Sequence, residues 1–337
     1  MSLADLQSTA RALVADGRGI LAADESTPTI GKRFEGIGVD STETARRDYR
    51  ELLFSTPGLG QYISGVILYD ETIRQAAADG VPLVEVQRRQ GIIPGIKVDT
   101  GAKPLALCPG ETVTEGLDGL RPRIGEYREM GARFAKWRAV ISIGDDLPSH
   151  ACLATNAHAL ARYAALCQEG GLVPIVEPEV LMDGDHDIDT CEAVTTRTLQ
   201  IVFAALAEQR VHLEGILLKP NMVVSGKGCP RQAGVDEVAE RTVRCLNRTV
   251  PAAVPGIVFL SGGQSSEDAT AHLNAMNARL GPHPWALSFS YGRALQDWAL
   301  KAWGGAAANA GAAQQALLRR AALNGAAARG TYTGEAA

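Results

Sequence analysis

The chain has 337 residues, 46% hydrophobic and 21% charged, with 33 basic and 38 acidic residues and a net charge of −5. This is an ordinary globular balance with enough apolar residues for a large core. No basic tail or Lys/Arg block points to nucleic acid, and no apolar run approaches the ~18 residues of a membrane span.

The length allows two domains, but α/β barrels of this size run as one. None of the six cysteines (Cys108, Cys152, Cys167, Cys191, Cys229, Cys245) sits within a few residues of another. That spacing offers no zinc knuckle or redox motif and reads as reduced thiols of a cytoplasmic protein. The opening MSLADLQSTARALVADGRG carries acids where a secretory signal has its apolar stretch.

Residues 3–16 have helical spacing, with Leu3, Leu6, Ala10 and Leu13 on one face. GILAAD (19–24) reads as a strand finishing in an acid, followed by ESTPTIGKRF as a Ser/Thr/Pro loop. Thr42–Phe54 is an amphipathic helix, and ISGVILYDE (63–71) is the second strand. GIIPGIKVD (91–99) is the third, with Lys97 near its end, and residues 116–131 are mostly helix. FAKWRAVISI (134–143), LVPIVEPEV (172–180) and LEGILLKPN (213–221) are strands four to six, separated by helices over 155–169 and 191–209. After a helix over 235–249 come GIVFLSGGQ (256–264), a helix over 267–280 and WALSFSYGR (285–293). Helix resumes from Leu295, 306–323 can form an alanine-rich helix, and 331–337 reads as a mobile tail.

Eight short apolar runs alternating with amphipathic helices predict a parallel sheet with crossover helices. Eight units in this length fit a closed (β/α)₈ barrel over residues 1–330. An open doubly wound sheet is disfavoured because no G-x-G-x-x-G turn follows the first strand.

In a barrel the C-terminal strand ends meet at one face, where active sites lie. Asp24, Lys97, Glu177, Glu179, Lys219, Ser261, Ser290 and Arg293 all fall at or near such ends. Lys136 and Arg138 lie two apart in the fourth strand and share a face; Glu177 and Glu179 do the same in the fifth. Only seven lysines occur in the chain, and Lys97, Lys136 and Lys219 sit within apolar runs. Surface decoration does not explain that distribution, because lysine is almost never buried unpaired. The choice is between structural ion pairs and a nucleophilic amine: burial and neighbouring cations both disfavour an ammonium, and nearby carboxylates can move its proton. Three cations at one mouth suit an anionic substrate.

LSGGQSSEDA (260–269) is a separate signal. Glycines let backbone N–H groups approach an anion, a helix N-terminus favours negative charge, and barrel enzymes often bind phosphate after the seventh and eighth strands. Arg293, after the eighth, adds a possible bidentate contact. By contrast DGDHDID (183–189) reads as a solvated acidic loop, with no second histidine at ligand spacing. Trp137 faces away from Lys136 and packs against a helix.

Taken together, GILAADEST, GVILYDET, GIKVD, FAKWR, VPIVEPE, DGDHD, LEGILLKPNM, FLSGGQS, FSYGRALQ and LKAWGG closely resemble the class I fructose-bisphosphate aldolases of animals, plants and bacteria. The resemblance spans residues 10–330 and implies a barrel that assembles as a homotetramer. It also implies reversible cleavage of the sugar phosphate fructose 1,6-bisphosphate to dihydroxyacetone phosphate and glyceraldehyde 3-phosphate, in glycolysis and gluconeogenesis, with no cofactor and no metal. By this resemblance Lys219 is the Schiff-base lysine and Glu177 the acid/base of carbinolamine dehydration. Glu179 tunes the charge beside it, Lys136 assists proton transfer, and Asp24 handles the C4 hydroxyl. Ser261, Gly262, Gly263, Ser290, Gly292 and Arg293 would hold the C1 phosphate, and Ser26, Thr29, Arg33, Lys97 and Arg138 would line the C6-phosphate side.

Two features depart from the family pattern. Pro28 and Thr29 stand where relatives often have Gly and Ser, and the chain ends in Ala336-Ala337 where animal members end in a tyrosine. Tyr332 aligns with an internal tyrosine. Two other readings compete: a lysine-dependent barrel of deoxyribose-phosphate aldolase or transaldolase type, which binds one phosphate, and a catalytically silent scaffold. The second cationic cluster argues against the first, and intact Lys219, Glu177 and Asp24 against the other.

Overall fold

The computed structural model describes residues 2–335, so Ala336 and Ala337 of the expected tail lie outside the described residues. The strands are β1 (Gly19–Ala22), β2 (Ile63–Leu68), β3 (Ile93–Lys97), β4 (Gly101–Pro104), β5 (Thr112–Glu115), β6 (Phe134–Ile141), β7 (Val173–Val180), β8 (Leu217–Leu218), β9 (Gly256–Phe259) and β10 (Ala286–Tyr291). Strands β4 and β5 form an antiparallel hairpin; the other eight close into a parallel barrel in chain order, with β10 returning to β1.

The α-helices are α1 (Leu3–Leu13), α2 (Thr27–Glu35), α3 (Glu43–Phe54), α4 (Asp70–Ile73), α5 (Leu83–Arg88), α6 (Leu120–Glu129), α7 (His150–Glu169), α8 (Ile188–Glu208), α9 (Val235–Thr249), α10 (Ser266–Arg279), α11 (Arg293–Trp303) and α12 (Ala310–Ala328). Among the described residues no helix is long and apolar enough to cross a membrane.

Two expectations need correction, and one pair of strands was not expected at all. The segment after Asp24 is helix α2, not a loop. Pro28 sits in its first turn, where a missing N–H costs nothing, and Ile30 and Phe34, four apart, bury one face. The hairpin at 101–115 carries no strong alternation and was invisible in the hydrophobic pattern. The sixth barrel strand is only two residues long, because Leu213–Gly215 winds into a 3₁₀ turn first.

The lower barrel is filled by Ile20, Ile67, Phe134, Val173, Ile175, Leu217 and Val258, and α1 closes that end with Leu6, Ala10 and Leu13. Phe134 is fully buried, and its ring occupies the space that side chains at Gly65 and Gly95 would need. Truncating it to alanine should cost about 3–5 kcal/mol. The apolar plug leaves the charged side chains singled out above to the upper half. Trp137 points outward and packs its ring 5.6 Å from that of Tyr163 on α7.

Candidate active site

The residues singled out in β6 and β7 face each other because the strands pair in register, Arg138 opposite Glu177 and Val140 opposite Glu179. Lys219 follows β8 directly; its backbone N–H donates to the Val176 carbonyl of β7 at 2.8 Å, which sets it beside Glu177. Asn221, two residues on, accepts from the Val180 N–H and donates to Thr195, so the end of the run is tacked to β7 and α8.

The side chains form an unbroken polar chain. Lys219 Nζ lies 3.1 Å from Glu177 Oε1, Lys136 Nζ 3.3 Å from Glu177 Oε2, and Lys136 Nζ 2.8 Å from Asp24 Oδ2. Lys136, Glu177 and Lys219 are each no more than 4% exposed. Buried charges survive only when paired, and removing one partner strands the other. Burial alone would raise the Asp24 carboxyl, but Lys136, Lys219 and Lys97 together hold it well below the usual carboxylate range. Burial works to deprotonate Lys136, yet Asp24, Glu177 and Asp99 outweigh it and keep this amine protonated far above its ordinary value.

Around this chain lies a cavity of about 650 Å³. Its floor holds Asp24, Lys136, Glu177 and Lys219. One wall carries Ser261, Gly262, Ser290, Gly292 and Arg293, and the other Ser26, Thr29, Lys97 and Arg138. Gly262 and Gly263 have φ of +59° and +101°, which a residue with a Cβ adopts only under strain, so the turn after β9 depends on glycine. Ser290 Oγ is buried on that wall with no partner among the described residues. Opposite, Lys97 Nζ contacts Asp99 at 2.9 Å, Arg138 Nε pairs with Glu179, and Ser26 Oγ lies 3.1 Å from Thr29 Oγ1. Arg33 is held by Glu25 at 2.5 Å and leans across: a side-chain carbon on Gly292 would come within 3.5 Å of its Nη2. Arg33 therefore stands between the two walls.

Sequence reasoning missed Glu25, Asp99, Gln264 and His272. Glu25 is buried between Arg33 and Arg50. Asp99 accepts from Lys97 and from the Arg138 N–H. Gln264 Nε2 donates to the Ser261 carbonyl, and His272 Nδ1 lies 2.6 Å from Gln264 Oε1, so α10 braces the glycine turn from behind. Only Asp99, the acid closing GIKVD, carried a local signal.

The acidic loop is more ordered than its composition suggests. Asp187 caps α8, accepting from the Thr190 N–H at 2.8 Å, and Asp183 pairs with Lys227.

Comparison with known proteins matches residues 5–337 to the family model described as fructose-bisphosphate aldolase class-I. The chain is 63% identical to a probable fructose-bisphosphate aldolase class 1 of Xanthomonas campestris pv. campestris, covering 99% of this chain and 100% of that one. It is 56% identical to the cytosolic fructose-bisphosphate aldolase 4 of Arabidopsis thaliana, covering 95% and 81%. Among solved structures it is similar to the fructose-bisphosphate aldolase of Plasmodium falciparum, crystallised with TRAP and a small-molecule inhibitor. That match has a TM-score of 0.97 at 52% identity over 98% of this chain and 96% of the other.

Proposed function

The chain belongs to the class I fructose-bisphosphate aldolases, which reversibly cleave fructose 1,6-bisphosphate to dihydroxyacetone phosphate and glyceraldehyde 3-phosphate, and on that premise we propose that Lys219 is the amine that forms the Schiff base. The observation that carries this reading is the chain Asp24–Lys136–Glu177–Lys219, with every link between 2.8 and 3.3 Å. It joins one amine to two carboxylates through a second lysine held protonated.

An ammonium has no lone pair, so Lys219 must pass a proton on before it adds to the C2 ketone. Glu177 is in reach to take it and to return it to the departing hydroxyl when the carbinolamine loses water. The resulting iminium accepts the electron pair of the C3–C4 bond as it breaks. Asp24 takes the proton of the C4 hydroxyl, which leaves as the aldehyde. The enamine gains a proton at C3 from water, Asp24 gives up the proton it took, and hydrolysis frees dihydroxyacetone phosphate and the amine. Glu179, tied to Arg138, sets the charge beside Glu177.

Ser261, Gly262, Gly263, Ser290, Gly292 and Arg293 receive the C1 phosphate. Ser26, Thr29, Lys97 and Arg138 receive the C6 phosphate, with Arg33 between them. The iminium serves as electron sink, so no metal is called for. The setting we propose is a cytoplasmic homotetramer, supported by family membership and by the cytosolic plant relative; light scattering checks the assembly.

The test is borohydride reduction in the presence of dihydroxyacetone phosphate, followed by peptide mapping. The label should fall on Lys219 and be lost in Lys219→Arg, whose guanidinium cannot form an imine. Cleavage should withstand EDTA. A label on Lys97 or Lys136, or activity that EDTA abolishes and zinc restores, would overturn the assignment.

A further inference from the structure

Lys227 and Asp183 belong to none of the groups assigned above. They meet because two loops zip together. The Gly226, Lys227 and Gly228 N–H groups donate to the carbonyls of His186, Met182 and Gly184 at 2.7–2.8 Å. Gly226 permits the approach, since a side-chain carbon there would lie 2.6 Å from the Gly184 oxygen. The His186 ring wedges beside the seam, 3.1 Å from that same point. The loop after β7 is thereby locked to the loop after β8, and both lean over the turn after β9.

The consequence is a second cation at the glycine turn. A side-chain carbon on Gly263 would lie 3.0 Å from Lys227 Nζ and 3.2 Å from Arg293 Nη2, so the two cations flank Gly263 together. Lys227 Nζ is also 2.8 Å from Asp183 Oδ1, in a pair whose side chains are 45% and 64% exposed. Ion pairs that exposed contribute little stability, so the ammonium exchanges partners at small cost. A phosphate dianion in the turn offers it more charge and more acceptor oxygens than one carboxylate does.

We propose that Lys227 contacts the C1 phosphate alongside Arg293, and that Asp183 competes with the phosphate for it. This rests on the aldolase reading given above. Asp183 therefore sets how tightly the turn holds phosphate, and Lys227 carries the effect.

Three variants test it: Lys227→Gln, Lys227→Arg and Asp183→Asn. The readouts are KM for dihydroxyacetone phosphate in the condensation direction, kcat, and competitive inhibition by inorganic phosphate. Lys227→Gln should raise KM and the phosphate inhibition constant about tenfold, the low end for a hydrogen bond to a charged group at an exposed position. Its kcat should move far less. Lys227→Arg should restore most of the loss, and Asp183→Asn should shift both constants the opposite way by releasing the ammonium.

Two results overturn the proposal: constants unmoved in Lys227→Gln, or the same loss in Asp183→Asn as in Lys227→Gln. The second would mean that the pair merely holds the loops. Borohydride trapping at saturating dihydroxyacetone phosphate keeps the two readings apart. If wild-type Lys219 is labelled and only the Lys227 effects fail, the aldolase assignment stands without this residue.

Discussion

Lys219 Nζ lies 3.1 Å from Glu177 Oε1 across two neighbouring barrel strands, and each side chain is at least 96% buried. Among the described residues no other opposite charge lies within 4 Å of Lys219, whereas Glu177 also serves Lys136. A carboxylate shared between two amines is placed to move protons between them. Glu177→Gln keeps the shape and removes the proton acceptor. We expect kcat to fall about 10²–10⁴-fold, the usual contribution of a positioned acid/base, with KM little changed. Borohydride trapping should become slow but remain on Lys219. Trapping at the wild-type rate would remove Glu177 from the dehydration step.

Asp24 makes the complementary test. Lys136, Lys219 and Lys97 overcome the burial penalty and hold its carboxyl below the usual range, so it remains ionised across the working pH of the protein. Asp24→Asn cannot accept the C4 hydroxyl proton, but it leaves the Glu177–Lys219 contact in place. Cleavage should drop by orders of magnitude while dihydroxyacetone phosphate is still trapped on Lys219. Loss of both together would mean that Asp24 acts before carbon–carbon cleavage, through Lys136.

The hydrophobic period made the barrel legible, and lysines inside apolar runs marked the site. Strand ends converge at one face in this topology, so chain order alone brought Asp24, Lys136, Glu177 and Lys219 together. What escaped were contacts between segments remote in sequence. Lys227 meets Asp183 across a loop seam set by three backbone hydrogen bonds, which no side-chain pattern announces. The His272–Gln264 contact spans only eight residues, but it joins a side chain two turns into α10 to the loop before that helix, a pairing no hydrophobic period marks. Helix α2 was missed for another reason: Ser26, Thr27, Pro28 and Thr29 are loop formers by composition, but N-cap and first-turn residues by position.

His272 gives a pH prediction. Burial pushes its pKa down to about 4, with Asp268 opposing weakly. The unfolded chain takes up this proton near pH 6.5, so above that value the residue contributes no pH dependence. Between 6.5 and about 4 only the unfolded state binds the proton, and stability falls as pH falls. At 1.36 kcal/mol per unit over about 2.5 units the loss is on the order of 3 kcal/mol. Urea unfolding at pH 7, 5.5 and 4.5 should show this slope, and His272→Asn should flatten it. A slope unaltered in the variant would assign the acid sensitivity elsewhere. The same variant should raise KM for dihydroxyacetone phosphate modestly, because Gln264 then loses the ring that orients it against Ser261.

The last prediction concerns residues 331–335. Arg320 is fully buried, with its guanidinium under the Trp298 ring at 5.0 Å and bonded to the Ser266 carbonyl and the Thr270 hydroxyl. Its counter-charge is Glu335, at 2.6–2.7 Å through both carboxylate oxygens. Tyr332 supports that carboxylate, donating its hydroxyl to Glu335 Oε1 at 2.7 Å, and its own N–H donates to Asn274 on α10. Burial opposes the Glu335 charge, but Arg320 and Tyr332 prevail and lower its pKa. This stabilisation is therefore present above the ordinary glutamate range and is lost as pH falls through the lower folded value. Truncation after Gly330 leaves Arg320 buried without its counter-charge. A hydrogen-bonded charge of this kind is worth about 1.5–3 kcal/mol, and for a chain of this length each kcal/mol moves Tm by roughly 1–2 °C. The truncated protein should melt roughly 2–5 °C lower at pH 7, and Glu335→Gln should reproduce most of that shift. The active-site chain is untouched by either change, so kcat for cleavage below the melt should stay close to wild type. A fall in kcat of several orders of magnitude on truncation, absent in Glu335→Gln, would instead place Tyr332 in the reaction, at the proton transfer to C3 of the enamine.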